Sequence, residues 1–336
     1  MTSDRIRWCM KCNLMVSSRK CPVCRNDVLN IRLDKGSRPS PVFQNQADRI
    51  RSAVDSSYGD GCGRMLIPDD RTALFLSAQN MRHLMINGGI VGRLYDSGVF
   101  SLNASGLGII SSVMTRNRLT CDHDSAYFIA KGRNLMVTGV TDCPPGLSAG
   151  DRVAVFDEKG RPVAEGVMKM SSEEIGEADK GVAVSIRDCA APRINDGRRH
   201  KNWIQTLDEN SRSMKSSIGE TVKQISSFVS SYGCPVVVEL SSDILTEANL
   251  LLVLEAGIRP SVKLAQKDDF LDYLVNKHGL QTVDDLPERC IFITERKDIS
   301  DADIMAQSPT QDWDPMMVWM YVMMRAEPFH PEYMKG

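Results

Sequence analysis

The 336-residue sequence has no apolar run approaching the roughly 20 residues that a membrane helix needs. Its longest, Met316 to Met324, is about half that and reads as a buried helix. The N-terminus also lacks the apolar core of a signal peptide, carrying charges and cysteines instead, which implies a cytoplasmic protein. That compartment argues against disulfides as the use of its ten cysteines. No cysteine follows Cys290. Positive charge is in short supply towards the back. Residues 1–40 hold nine Lys/Arg against three Asp/Glu, residues 41–200 hold nineteen of each, and residues 201–336 hold thirteen against twenty-one. The front is the better partner for a polyanion, and nothing points to DNA or to a membrane.

What is present begins with two C-x-x-C pairs. Cys9, Cys12, Cys21 and Cys24 can close a tetrahedral four-thiolate site, for which structural zinc is the best fit and rubredoxin-like iron the minor alternative. Arg19 and Lys20 lie between the pairs, with Arg5, Arg7 and Arg25 around them, so a bound metal would present a basic knob. Gly36-Ser37-Arg38-Pro39-Ser40-Pro41 has the composition of a linker. Residues 42–125 then read as a mixed α/β module, with helical spacing over Ala47–Val54 and a glycine-turn hairpin at Asn87-Gly88-Gly89 before Ile90–Tyr95. Cys121-Asp122-His123-Asp124 is metal-capable in composition, but neighbouring residues of one strand face opposite ways and make a poor ligand set.

From Lys131 to Ile175 the pattern is short strands and glycine turns, as in a small closed barrel. Leu135-Met136-Val137 ends at Gly139, Pro144-Pro145-Gly146 forces a turn, and Arg152–Phe156 alternates as a half-buried strand. Glu158-Lys159-Gly160 is a hairpin turn before the return strand Val163–Met170, and Ser171-Ser172-Glu173-Glu174 starts a helix. With Gly132, Gly139-Val140, Gly150-Asp151, Gly166 and Lys180-Gly181-Val182-Ala183-Val184, this stretch resembles the PUA domain, a small RNA-binding β-barrel. The resemblance implies binding to structured, tRNA-like RNA. Lys131, Arg133, Arg152 and Lys169, with Gly139, are the candidate contacts because they sit beside the glycine turns. Arg198-Arg199-His200-Lys201 after the barrel is a second basic cluster, either a solvated linker or a phosphate contact.

From Trp203 helices and strands alternate: a helix over Glu209–Ser231, strand Val236–Leu240, helix Thr246–Glu255, strand Ser261–Ala265, helix Phe270–His278 and strand Cys290–Thr294. Such alternation predicts a Rossmann-like, doubly wound parallel sheet whose ligand would sit at the loop Leu240–Leu245. The segment resembles the adenine-nucleotide hydrolase (PP-loop) superfamily, in particular phosphoadenosine phosphosulfate reductase. The matching residues are Trp203, Asn210-Ser211-Arg212, Val236-Val237-Val238, Leu250-Leu251-Leu252, Glu255-Ala256-Gly257, Asp312-Trp313, Val318-Trp319, Tyr321 and Pro331-Glu332-Tyr333. A zinc ribbon, an intermediate module, a PUA barrel and this domain together resemble archaeal members of that family.

The resemblance breaks at the phosphate loop. Where the family has Ser-Gly-Gly-Lys-Asp-Ser, this chain has Ser241-Ser242-Asp243-Ile244-Leu245-Thr246, without glycines or lysine and with an added negative charge. The chain also stops at Gly336, where the family continues into a Gly-Cys…Cys-Pro segment. The expected organisation is therefore a zinc ribbon over 1–35, a mixed α/β module over 42–125, a PUA-like barrel over 126–196 and a degenerate PP-loop domain over 203–336. The expected function is noncatalytic RNA binding with structural zinc, in company with an intact paralogue of the family. The alternative is an active reductase or PP-loop sulfurtransferase acting on adenylyl nucleotide or RNA.

Overall fold

The computed structural model describes residues 5–34, 37–69, 72–78, 81–189, 201–295 and 303–335. Contacts divide the chain into two compact units: Met1–Cys9, Leu14–Lys35 and Trp203–Gly336 in one, Met10–Asn13 and Gly36–Asn202 in the other. Most of the N-terminal segment thus groups with the C-terminal segment rather than with the residues that follow it. Strand β1 (Arg5–Cys9) pairs antiparallel with β2 (Leu14–Met15) and β3 (Leu29–Arg32), burying Ile6, Trp8, Leu14 and Met15.

The second unit opens with β4 (Arg38–Pro41), where the composition suggested a linker; Gly36 lies outside the described residues. Pro39 and Pro41 have no N–H to give to a ladder, and β4 is correspondingly an edge strand. Helices α1 (Gln44–Tyr58) and α2 (Cys62–Leu66) lead to β5 (Ala73–Ala78), β6 (Met81–Ile86), β7 (Gly89–Tyr95), β8 (Phe100–Leu102) and α3 (Ala104–Ile110). The sheet is antiparallel in the order β4-β5-β6-β7-β8. The expected hairpin joins β6 to β7, with Asn87 and Gly88 at φ of 53° and 74°, the left-handed pair that a tight hairpin requires.

Next come β9 (Arg118–Cys121), α4 (His123–Ile129), β10 (Leu135–Met136), β11 (Val140–Asp142), β12 (Arg152–Asp157), β13 (Pro162–Met168), α5 (Ser172–Glu177) and β14 (Val182–Asp188). Their sheet has the order β10-β14-β13-β12-β9-β11 and includes β9, upstream of residue 126. Its outermost strands, β10 and β11, are consecutive and joined by the 3-10 turn Val137–Gly139. Flat, five gaps of about 4.8 Å would hold them about 24 Å apart. Four extended residues reach only about 14 Å, so the sheet must curl into a barrel.

Strand β12 differs from expectation. A half-buried strand would alternate, yet Val153, Ala154, Val155 and Phe156 are all fully buried. Val153 and Val155 fill the barrel interior with Leu119, Leu135, Met168 and Val184. Ala154 and Phe156 face the other way and join the core of the preceding module, with Ile50, Leu66, Phe75 and Leu107. Packing on both faces removes the solvated side that alternation presumes.

In the first unit, α6 (Trp203–Tyr232) starts upstream of Glu209 because its buried stripe continues back to Thr206. It is followed by β15 (Val236–Leu240), α7 (Ile244–Glu255), β16 (Ser261–Leu264), α8 (Asp269–Lys277), β17 (Gln281–Thr282), β18 (Cys290–Ile293), β19 (Ile304–Gln307) and α9 (Pro315–Met324). The five strands are parallel, in the order β17-β16-β15-β18-β19, so chain order reverses between β15 and β18. Helix α9 is buried from Met316 to Val322, as its all-apolar composition requires. Among the described residues no helix is long and apolar enough to cross a membrane.

Replacing Phe156 by alanine should destabilise the second unit by about 3–5 kcal/mol, the usual cost of emptying a packed aromatic site. Denaturant unfolding of the full chain measures this. A loss under about 1 kcal/mol would mean that Phe156 does not hold a tightly packed core.

Candidate metal centre and nucleic-acid interface

The four N-terminal cysteines converge. Their sulfur atoms all lie within 4.8 Å of one another, with Cys9 and Cys24 Sγ 3.6 Å apart. A tetrahedral zinc–thiolate site, with bonds of about 2.3 Å, places its sulfurs about 3.8 Å apart, so the cluster fits such an ion. The local chain explains the geometry. Asn13 and Arg25, each directly after a C-x-x-C pair, have positive φ of 49° and 63° and turn the backbone back. The second turn is tied by Cys21 N–H to Asn26 O at 2.9 Å and Arg25 N–H to Cys21 O at 3.0 Å.

On the barrel, Arg133 and Lys169 are exposed and have no ion-pair partner among the described residues. Lys131 is exposed at the end of α4, its Nζ 2.6 Å from Tyr127 Oη. Gly139 is buried, and a Cβ there would fall 1.9 Å from Ser125 Oγ, so this turn admits only glycine against α4. Arg152 is placed differently. Its Nη1 donates to the buried Glu165 carboxylate at 2.7 Å, which commits its charge inside the fold.

Two aromatic residues were missed. Tyr127 and Phe128 on α4 are 57% and 55% exposed, with ring centroids 5.7 Å apart in an edge contact. They border a hollow of about 860 Å³ that also touches His123, Asp124, Arg161 and Cys189. Adjacent aromatics on an otherwise polar helix face were the available signal. Cys121-Asp122-His123-Asp124 is a strand-to-helix junction rather than a single strand. Cys121 points into the barrel core, where burial pushes its thiol up to about 11, and Asp122 caps α4 by accepting from Ser125 N–H at 2.6 Å. In the basic cluster, Arg198, Arg199 and His200 lie outside the described residues, while Lys201 O accepts from Thr72 N–H and Oγ1.

The loop Ser241–Thr246 follows β15, at the point where strand order reverses. Helix α7 begins inside it, at Ile244, not at Thr246, because Asp243 caps it by accepting from Leu245 N–H at 3.1 Å. Four of the remaining amides are also taken. Ser241 N–H donates to Thr246 Oγ1, Asp243 N–H to Ser241 Oγ, Thr246 N–H to Asp243 O, and Ile244 N–H to Tyr333 Oη at 2.8 Å. Ser242 is half-buried between them. At the neighbouring strand end Thr294 Oγ1 donates to Glu239, and Glu295 accepts from Asn249, Ser308 and Thr310. A helix start that could receive an anion is thus filled by its own side chains, in an acidic setting.

Residues 117–190, from β9 to β14, match the PUA domain and are one. The tRNA-guanine(15) transglycosylase of Thermoplasma volcanium is 26% identical over 164 residues, 47% of this chain and 26% of that protein. The probable tRNA pseudouridine synthase B of Pyrococcus abyssi is 38% identical over 65 residues, 19% of this chain and 20% of that one. A solved PUA domain protein from Thermoplasma acidophilum is 19% identical and superposes with a TM-score of 0.40, covering 46% of this chain and 95% of its own. The chain spans only 22–26% of the length of the first three transglycosylases it matches.

Because most of the loop amides are occupied internally and the loop offers no cation, adenylyl sulfate, phosphoadenylyl sulfate and ATP should give no saturable heat on titration into the full chain. No sulfite, pyrophosphate or phosphate should be released in the presence of a reductant. Turnover above background that is lost on Ser241→Ala and Asp243→Ala would overturn this account of the loop.

Proposed function

We propose that this chain is a noncatalytic, cytoplasmic RNA-binding protein whose PUA domain engages structured, tRNA-like RNA. The observation that carries the reading is the PUA domain at 117–190, with exposed cations Lys131, Arg133 and Lys169 beside its glycine turns. The names of two relatives, a tRNA transglycosylase and a tRNA pseudouridine synthase, support a tRNA-like ligand. Phosphates would meet the three cations, while unstacked bases would find Tyr127 and Phe128. Arg152, neutralised by Glu165, is the weakest of the basic candidates.

The four-cysteine module holds structural zinc in this reading, supplying much of the folding energy of so small a sheet. The C-terminal parallel sheet is read as a Rossmann-like relative of the phosphoadenosine phosphosulfate reductase domain, retained for docking an intact paralogue. Its reversed strand order supports that architecture, and its self-satisfied loop favours a binding role over catalysis.

Two measurements test this. Elemental analysis of protein purified without chelators should find about one zinc per chain, as one closed four-thiolate site requires; one iron would change the metal, and none would remove the site. Fluorescence anisotropy with a tRNA acceptor-stem RNA should show affinity falling with salt. Changing Lys131, Arg133 and Lys169 to glutamine should lower the slope by about one for each phosphate left unneutralised. An unaltered affinity and slope in the triple variant would place the RNA elsewhere.

A further inference from the structure

A crevice of about 340 Å³ lies in the second unit, between the outer face of the barrel and the end of the preceding sheet. Arg93 and Tyr95 reach it from β7, Arg152 from β12, Glu165 from β13, and Arg187 and Asp188 from β14. Three guanidinium groups therefore meet two carboxylates. The two acids are neighbours, because Glu165 stands directly opposite Asp188 in the β13–β14 ladder. Such a pair repels unless cations lie beside it.

The cations do not balance it evenly. Arg152 is spent on Glu165 at 2.7 Å, and the side chain of that glutamate is only 2% exposed. Arg93 lies 3.5 Å from Asp188, a looser pairing. Arg187 is exposed, makes no close ion pair among the described residues and adds its charge to that of Arg152 near Glu165, so three cations face two acids. Gathering five charges in a recess is costly unless something uses the imbalance. Guanidinium forks match the oxygens of phosphate, two at a time. The volume is at the small end of ligand sites, enough for a phosphate with a modest group attached. Tyr95 supplies a flat wall for that group.

We infer that this crevice is an anion site that takes one phosphate group, from a free nucleotide or from an RNA strand, held by Arg187 and Arg93 over the fixed Arg152–Glu165 pair. Lys131, Arg133 and Lys169 do not line it, and only its RNA source rests on the function proposed above. On an RNA, the crevice would make a second point of attachment and so set the direction in which the strand leaves the barrel. For a free nucleotide it would be a site in its own right.

The full chain and two variants, Arg187→Gln and Arg93→Gln/Arg187→Gln, would be titrated with inorganic phosphate, uridine 5′-monophosphate and a tRNA acceptor-stem RNA. Phosphorus NMR line width reads the first two and anisotropy the third. Arg187 is exposed, so its single variant keeps the test readable if the double variant fails to fold. The expected result is at least a tenfold loss of phosphate and mononucleotide binding in the double variant, and an RNA salt slope lower by about one, for the one phosphate released. Lys131→Gln/Arg133→Gln should leave phosphate and mononucleotide binding as it was. Binding of phosphate and mononucleotide without RNA binding would uphold the crevice and sink the RNA reading. RNA binding with an unaltered slope in both variants, and no phosphate or mononucleotide binding, would overturn the crevice and leave the RNA reading standing.

Discussion

One strand serves two cores, and the second unit depends on it. In β12 the odd-numbered valines, Val153 and Val155, fill the barrel, while Ala154 and Phe156 complete the α/β module that precedes it. A strand buried on both faces cannot slip by one residue without exchanging those sets. The small Ala154 and the large Phe156 fit different holes, so such a slip would leave a void at one position and a clash at the next in each core. The register of β12 also sets the positions of Arg152 at its head and Asp157 at its foot. These carry the contacts to Glu165 and to Arg161. The charged rim of the barrel follows from the apolar choice at four positions.

In the other unit the equivalent constraint is polar. Asn210, fully buried on α6, donates to Met15 O and Thr206 O and accepts from the backbone N–H and hydroxyl of Ser17. All of its hydrogen-bonding capacity is used, joining the start of the chain to a helix nearly 200 residues later. Arg7 adds a second tie, an ion pair with Asp314, whose carboxyl also caps α9 by accepting from Met317 N–H. Burial pushes that carboxyl up to about 6, against the opposing pull of Arg7 and of the Met317 and Met316 amides. A buried pair of this kind gains less from its strength than from its selectivity, since losing either member leaves a charge without a partner.

The sequence was most informative where periodicity or turn chemistry is local. The Asn87-Gly88 hairpin, the strand at Val236–Leu240, the buried helix at Met316–Met324 and the paired cysteines could all be read from a few neighbouring residues. Failures have long-range causes. The two-sided burial of β12 depends on a module that a strand pattern does not reveal. Strands β17 and β19 are too short or too polar to show a period, and are strands only because β16 and β18 offer them a ladder. Pro39 and Pro41 looked like linker residues because proline breaks ladders, yet an edge strand has a side that needs no N–H. At the candidate site the charge of Arg152 was legible, but its commitment to Glu165, thirteen residues on and one strand across, was not.

The same distinction bears on the loop after β15. A missing glycine or lysine can be read from sequence, but absence alone does not say what the backbone amides do instead. Here five of the six find a partner: the hydroxyls of Ser241 and Thr246, the Asp243 carboxylate and carbonyl, and Tyr333 from the far end of the chain. An incoming phosphate would have to displace these bonds and meet Asp243, Glu239 and Glu295 with no cation from the loop itself. A bond exchanged for another of similar strength yields little net free energy, and the carboxylates oppose the anion. The loop is therefore a finished structural element in which side chains do what a ligand does in a nucleotide-binding fold. Exposed cations with no close ion pair among the described residues include Arg133, Lys169 and Arg187, all in the PUA-bearing unit.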